Sequence, residues 1–216
     1  MLTESVEDYL KIIFKLQQST AAGTNDIARA LNVSAASVTG MIKRLAENGL
    51  VNYAPHKGVT LTEAGEKVAL EILRHHRLLE LYLAEALGYP IDMVHDEAEK
   101  LEHHISEDFE ARIAALLGEP THDPHGDPIP TKNGEMPEVF NRPLAESAVG
   151  DQLVVRRVSD ENQELLRFLM SLGLVPKTRL EVVAKAPFNG PLTVKIGEKT
   201  EVIWKEVANS VFVSAG

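Results

Sequence analysis

Asn32-Val33-Ser34-Ala35-Ala36-Ser37-Val38-Thr39-Gly40-Met41-Ile42-Lys43-Arg44-Leu45-Ala46-Glu47-Asn48-Gly49 is the stretch on which the fold of the N-terminal part turns. Asn32-Val33 makes a tight turn. Ser34 is placed to cap a helix, because a serine side chain accepts one of the first orphan backbone N–H groups. Val38, Ile42 and Leu45 recur at helical spacing and face inward, and Asn48-Gly49 stops the helix. A shorter helix, Asn25 to Leu31, precedes it with Thr24 as its cap. Two short helices joined by a tight turn form a helix-turn-helix. Leu50-Val51-Asn52-Tyr53, the turn Pro55-His56-Lys57-Gly58 and Val59-Thr60-Leu61 then read as a small hairpin, or wing.

The second helix presents Ser34, Ala36, Ser37, Thr39 and Gly40 outward near its start. These are short residues that let a helix enter a major groove, and their hydroxyls bond phosphates or base edges. Lys43, Arg44 and the wing residue Lys57 supply positive charge for phosphates, and Glu47 is the only acid between Ser34 and Lys57. A winged helix used for protein contact would also carry a serine cap and surface lysines.

Outward from this module, residues 4–18 read as a helix with Val6, Tyr9, Leu10, Ile13 and Leu16 on its apolar face. Asp8 falls off that face. It fits either a first-turn acid favoured by the helix dipole or a ligand delivered to another element. Thr62 caps a long helix over 63–87, in which His76 and Glu80 stand four residues apart, as a simple pair or as two ligands of one cation. A central helix is expected over 92–104. On it His95, Glu99, Glu102 and His103 form one stripe at i, i+4, i+7 and i+8. Two carboxylates and two imidazoles on one face suit a divalent cation, or a solvated polar face. A third helix, 107–117, begins after Ser106.

Residues 119–143 hold six of the eleven prolines and read as a partly extended tether. Within it, His122-Asp123-Pro124-His125-Gly126 offers ligand-type side chains beside a rigid proline, and equally an ordinary loop. Residues 144–216 are mostly strand-like, interrupted by a helix near 161–171 with Asp160 at its start, and are expected to form a small SH3-like β-barrel. The fold class is thus mainly α with small β parts. Residues 1–65 are expected to form a winged helix-turn-helix, 66–140 a helical domain suited to metal binding and dimerisation with its tether, and 141–216 an SH3-like domain.

Composition sets bounds. The 216 residues include no cysteine, which removes disulfides, thiolate ligands and a cysteine nucleophile. The start, Met1-Leu2-Thr3-Glu4, lacks the basic and then apolar run of a signal peptide, and no stretch approaches the ~18 apolar residues of a membrane span. A cytoplasmic protein without a membrane role is expected. The net charge of −10 argues against general affinity for nucleic acid. It leaves room for a locally basic module, because distant charge is screened beyond roughly 8 Å. All eight histidines fall between His56 and His125.

The order of parts resembles the diphtheria-toxin-repressor family of iron- and manganese-dependent transcriptional regulators. The segments that carry the resemblance are Val6-Glu7-Asp8-Tyr9-Leu10, His76-Arg77-Leu78-Leu79-Glu80, His95-Asp96-Glu97-Ala98-Glu99 with Glu102-His103, and Asp123-Pro124-His125-Gly126 before Pro128-Ile129-Pro130. The resemblance implies a primary metal site on Asp8, Glu99, Glu102 and His103. It implies a second site on His76, Glu80 and His95, or on Glu80 with Asp123, His125 and an acid of the SH3-like (FeoA-like) domain such as Asp160. The family's iron-sensing branch has a methionine where this chain has Asp8 and a cysteine where it has Glu99. Acids at both positions resemble the manganese branch, some members of which place a further glutamate where this chain has Lys11. The resemblance implies Mn²⁺, with Fe²⁺ the other candidate, a homodimer, a palindromic double-stranded DNA operator, repression of metal-uptake genes and no small-molecule substrate. Two rivals stand beside it. A metalloenzyme lacks its motif here, since Glu99 breaks H-x-x-E-H and no H-E-x-x-H occurs. A metal-independent winged-helix regulator would keep the His/Glu cluster as structure.

Overall fold

The computed structural model describes residues 2–17, 20–54, 57–139 and 141–216. The chain forms two compact units. One comprises Met1–His76, Glu99–Arg112 and Pro130–Met136, and the other Arg77–Ala98, Ile113–Ile129 and Pro137–Gly216.

In the first unit, α1 (Glu4–Leu16) buries Val6, Tyr9, Leu10 and Ile13, as its periodicity requires. Lys11 is buried with them. The expected helix reached residue 18; Gln18 lies outside the described residues. α2 (Thr24–Ala30) starts one residue earlier than expected, with Gly23 and not Thr24 in the extended cap position. In α3 (Ala35–Glu47) the Ser34 side chain accepts the Ser37 N–H at 3.2 Å, and Val38, Ile42 and Leu45 pack on Ile27 and Val59 in one core. Gly49, at φ +70°, ends the helix, and the Leu50 N–H returns to the Leu45 carbonyl at 2.9 Å. β1 (Val51–Ala54) and β2 (Gly58–Leu61) pair antiparallel as the wing, and Ala22 bridges to Val59 on its other side. Pro55 and His56 of the wing turn lie outside the described residues.

α4 (Glu63–Glu85) and α5 (Val94–Leu101) each begin in one unit and end in the other. α5 is shorter than the expected 92–104. It stops at Leu101, and residues 102–104 form a turn closed by the His104 N–H on the Leu101 carbonyl at 2.9 Å. The single helical stripe is therefore broken, and Glu102 and His103 project from a turn. α6 (Glu107–Leu116) starts where Ser106 accepts the Phe109 N–H at 3.2 Å.

In the second unit, strands β3 (Arg142–Pro143), β4 (Gln152–Val158), β5 (Arg179–Lys185), β6 (Leu192–Ile196), β7 (Lys199–Ile203) and β8 (Val211–Ala215) make one antiparallel sheet in the order β3-β8-β4-β5-β6-β7. Shifts of register in β4 and β5 bend it. Among the described residues β3 and β7 remain its two edges, so the expected barrel is an open sheet. Its core of Leu153, Val155, Leu180, Val182, Val194 and Val213 is covered by α7 (Gln163–Ser171), which contributes Leu166 and Leu169. Trp204 lies in the part expected to be mostly strand-like. It caps a short helix, α8 (Lys205–Ala208), which the alternating pattern hid.

Part of the proline-rich segment, around Asp123, is folded rather than extended. Asp123 accepts the N–H groups of His125 and Asp127, each at 2.9 Å, and His122 bridges to Pro128. The Val158 N–H donates to the His125 carbonyl at 2.9 Å, fastening this loop to β4. Gly126, at φ +91°, lies so close to β4 that a Cβ would sit 1.9 Å from the Arg156 carbonyl oxygen. Arg77 ties the loop to α4 through Asp127 at 3.1 Å and the Pro128 carbonyl at 2.5 Å. The local acceptors of Asp123 and the glycine override the extended preference of the prolines.

Gly65 is a test of the winged unit. A Cβ there would lie 2.0 Å from the Leu50 carbonyl oxygen, a backbone atom that has no freedom to move aside. Gly65→Ala is expected to lower stability by roughly 1–3 kcal/mol, read as a lower urea midpoint.

Candidate metal centre

Among the described residues, carboxylates and imidazoles gather in each of the two units. The first cluster draws Asp8 and Lys11 from α1, His76 from α4, Glu99 from α5, and Glu102 and His103 from the turn after it. Asp8, Glu102 and His103 place one ligand atom each within 4.8 Å of one another, and so do His76, Glu99 and Glu102. Glu102 is common to both triads and fully buried. His103 Nε2 faces Asp8 Oδ1 at 3.0 Å and Glu102 Oε1 at 3.3 Å, while its Nδ1 donates to Glu7 Oε2 at 2.7 Å. A carboxylate on the far nitrogen fixes the ring so that Nε2 is the atom offered to the cluster. His76 Nδ1 donates to Glu102 Oε2 at 2.6 Å.

Lys11 completes this cluster with a cation. Its ammonium donates to Glu99 Oε1 at 2.7 Å and Glu102 Oε1 at 2.5 Å, and the residue is 2% exposed. Burial pulls its pKa down, but the charges and hydrogen bonds of Glu102 and Glu99 more than offset this, and the net shift is upward. Asp8 is shifted upward too, by burial first and then by Glu102 and Glu99, against the pull of His103 and Lys11.

A buried network holds the turn in place. His75 Nδ1 donates to the Glu102 carbonyl at 3.1 Å, its Nε2 meets Glu110 Oε2 at 3.2 Å, and Arg74 grips the other Glu110 oxygen at 2.6 Å. The hydrogen bond from His75, with Arg74 beside it, lowers the Glu110 carboxyl to about 2 against the opposing effect of burial.

The second cluster gathers Glu80 from α4, His125 from the folded loop and Asp160 from the segment after β4, again within 4.8 Å, with His95 of α5 beside them. His95 Nδ1 lies 3.1 Å from Glu80 Oε1 and 3.4 Å from Asp160 Oδ2. Those two acids, through hydrogen bonds and charge, outweigh burial and push the His95 pKa up to about 10. His125 is fully buried, and neither of its ring nitrogens has a hydrogen-bond partner. An imidazole orphaned beside two carboxylates is expensive without a ligand. A divalent cation satisfies it, so the donors fit a metal.

Asp8, Glu99, Glu102, His103 and His76 come together in the first unit. Glu80, His95, His125 and Asp160 come together in the second. Asp123 does not join the ligand atoms: one oxygen organises its own loop and the other faces Arg77 at 3.7 Å, with burial and then Glu80 raising its pKa well above the usual range. Ser34, Ala36, Ser37, Gly40, Lys43, Arg44 and Lys57 are exposed on or near the recognition helix and wing. Thr39 is half-buried, and its hydroxyl donates to the Ala35 carbonyl at 2.8 Å. Glu7, Lys11 and His75 were not among the expected site residues, although the resemblance marks Lys11 as the position where some relatives carry a glutamate. Spacing held a signal for the first two, since Glu7 and Lys11 stand four apart and Lys11 follows Asp8 by three, which puts them on one helical face.

Comparison with known proteins settles what this arrangement belongs to. Residues 1–59 match the iron-dependent repressor N-terminal DNA-binding domain, 62–131 its metal-binding and dimerisation domain, and 142–215 the FeoA domain. The iron-dependent repressor IdeR of Mycobacterium tuberculosis is 32% identical over 225 residues, covering 98% of this chain and 97% of that protein. The chain belongs to the iron-dependent repressor family. Its members are metal-dependent DNA-binding transcriptional repressors and not enzymes. Among solved structures, a manganese-dependent transcriptional repressor in complex with manganese superposes with a TM-score of 0.91 at 40% identity, over 98% of this chain and 100% of the other. ScaR with bound Cd²⁺ gives 0.85 at 30% identity, over 98% and 99%. No helix among the described residues is long and apolar enough to cross a membrane.

The Arg74–Glu110–His75 network has a pH signature. Folded Glu110 takes up its proton only near pH 2, against 4.5 for the free group, so the unfolded chain binds more protons in between. Its contribution, roughly 3 kcal/mol at most, is present above about pH 4.5 and lost as pH falls towards 2. Glu110→Gln is expected to lose roughly 1–3 kcal/mol at neutral pH and to show a flatter loss of stability on acidification, measured by urea unfolding from pH 7 to 3.

Proposed function

We propose that this member of the iron-dependent repressor family responds to Mn²⁺, with Fe²⁺ as the second candidate, and binds a palindromic operator as a homodimer. Asp8, Glu99, Glu102, His103 and His76 form the primary site in this reading, and Glu80, His95, His125 and Asp160 the second. The observation that carries it is the 3.0 Å approach of Asp8, on the first helix of the winged unit, to His103 on the turn after α5. Oxygen and imidazole donors without sulfur suit Mn²⁺ or Fe²⁺ over softer ions. The manganese-bound relative supports the first of these.

A divalent ion supplies the positive charge that lets these acids stay close. Asp8 then anchors α1, and with it the core of Tyr9, Leu10 and Ile13 on which α2 and α3 rest. Two recognition helices fixed across a dimer reach half-sites about 34 Å apart. Ser34, Ala36, Ser37 and Gly40 approach the groove, with Thr39 offering its methyl and oxygen, while Lys43, Arg44 and Lys57 meet phosphates. Metal-uptake genes and a cytoplasmic location follow from the same reading. One observation favours a metal-independent regulator: Lys11 already neutralises part of the cluster. That alternative predicts equal operator binding in chelator.

Fluorescence anisotropy with a family-like palindrome at fixed salt distinguishes the two. Mn²⁺ is expected to tighten binding by about 100-fold over chelator, a coupling of about 2.7 kcal/mol. Asp8→Ala is expected to keep the fold by circular dichroism and to lose most of that gain. An unchanged metal response in Asp8→Ala would remove the proposal.

A further inference from the structure

The candidate donors of the second cluster come from two layers. Glu80 and His95 stand on the helices α4 and α5, whereas His125 and Asp160 travel with the sheet. The His125 carbonyl accepts the Val158 N–H at the end of β4, and Asp160 follows two residues later. His95 and Asp160 face each other across the two layers at 3.4 Å. Two further contacts bridge α5 and α7 beside them. Arg167 Nε donates to Asp92 Oδ2 at 2.6 Å, and Gln163 Nε2 donates to Asp96 Oδ2 at 2.9 Å. Arg167 Nη2 also donates to Gln163 Oε1 at 3.3 Å, which joins the two contacts. We propose that Arg167 and Gln163 are positioning residues for the second cluster, holding α5 against α7 so that His95 and Asp160 reach one divalent ion. This rests on the metal-responsive reading above and adds residues that touch no ion.

The spacing supports it. Asp92 and Asp96 bracket His95 in the chain, and Gln163 and Arg167 follow Asp160 by three and seven positions, which is one face of α7 and its lead-in. Neither helix needs these contacts to form. Acids at the start of α5 are favoured by the helix dipole in any case, and Leu166 and Leu169 anchor α7 on the sheet core. What the contacts add is register between the helices. A cation site tolerates misplacement of its donors by only about 0.5 Å, and α5 has eight residues, so two side-chain contacts fix much of its length. The Arg167 side chain is 54% exposed and that of Asp92 17%, so the arginine reaches in from solvent and its removal leaves the core intact. Charge alone predicts the opposite sign from positioning, because losing a cation near a cation site would strengthen metal binding.

The test uses the full-length chain carrying His103→Ala, which disables the first cluster. Unbound Mn²⁺ is counted by the electron paramagnetic resonance sextet of the free ion. One Mn²⁺ per protomer is expected, lost on adding His125→Ala. In the His103→Ala chain, Arg167→Ala with Gln163→Ala is expected to raise the Kd about 10-fold with little change in the urea midpoint. Arg167→Lys, which keeps a cation for Asp92, is expected to stay near the parent value. A Kd equal to or below that of the His103→Ala chain in the double variant would overturn the positioning role and leave the metal-responsive reading in place. No Mn²⁺ bound by the His103→Ala chain, or an ion that His125→Ala leaves in place, would overturn the second site of that reading and the positioning role with it.

Discussion

Glu102 is a carboxylate with no exposure to water, and the elements around the first cluster are arranged to compensate its charge. Left alone, such a group would cost several kcal/mol. Lys11 reaches it from α1, His76 from α4, and His103 from the neighbouring position, while His75 holds its backbone carbonyl. The contacts from Lys11 and His76 join the turn that carries Glu102 to two different helices, so satisfying one charge also positions three elements. The winged module is coupled to the cluster because its first helix supplies both Asp8 and Lys11 to the same few ångströms.

The second cluster follows the same logic with a different outcome. There the buried imidazole of His125 has no hydrogen-bond partner, and Glu80 and Asp160 stand beside it. A hydrogen-bonded loop, pinned by Asp123, Gly126 and Arg77, presents His125 at that point. Asp123 thus serves the geometry of the loop. Asp92 and Asp96 around α5 receive Arg167 and Gln163 of α7 at 2.6 and 2.9 Å, so polar contacts from the sheet domain reach the same stretch of chain that holds His95.

Much of this was legible before any coordinates. The apolar period of α1 and α3, the serine caps at 34 and 106, and the stop at Asn48-Gly49 depend on neighbours within a few residues, and they appear where local chemistry puts them. The candidate donors were legible by type, because a chain without cysteine that gathers its histidines between residues 56 and 125 has few other uses for them. Local pattern misled where a long-range contact competed. The period of 92–104 continues through Glu102 and His103, but the helix ends at Leu101 and hands those side chains to α1 and α4. The prolines of 119–143 suggested extension, yet two backbone donors on Asp123 and a close approach at Gly126 folded that segment.

By itself, then, the sequence determined the helix-turn-helix with its wing, the helical middle, the strand-rich end and the donor types of a divalent cation site. These follow from hydrophobic period, capping and composition, all of which act over short range. Only the tertiary structure decided how the donors are shared out: Asp123 away from the ligand atoms, Glu7 behind His103, and Lys11 among the acids. A lysine on an apolar helical stripe is unremarkable until the carboxylates that bury it arrive from about ninety positions away in the chain. Burial and charge compensation are properties of that assembled neighbourhood, and no local pattern encodes them.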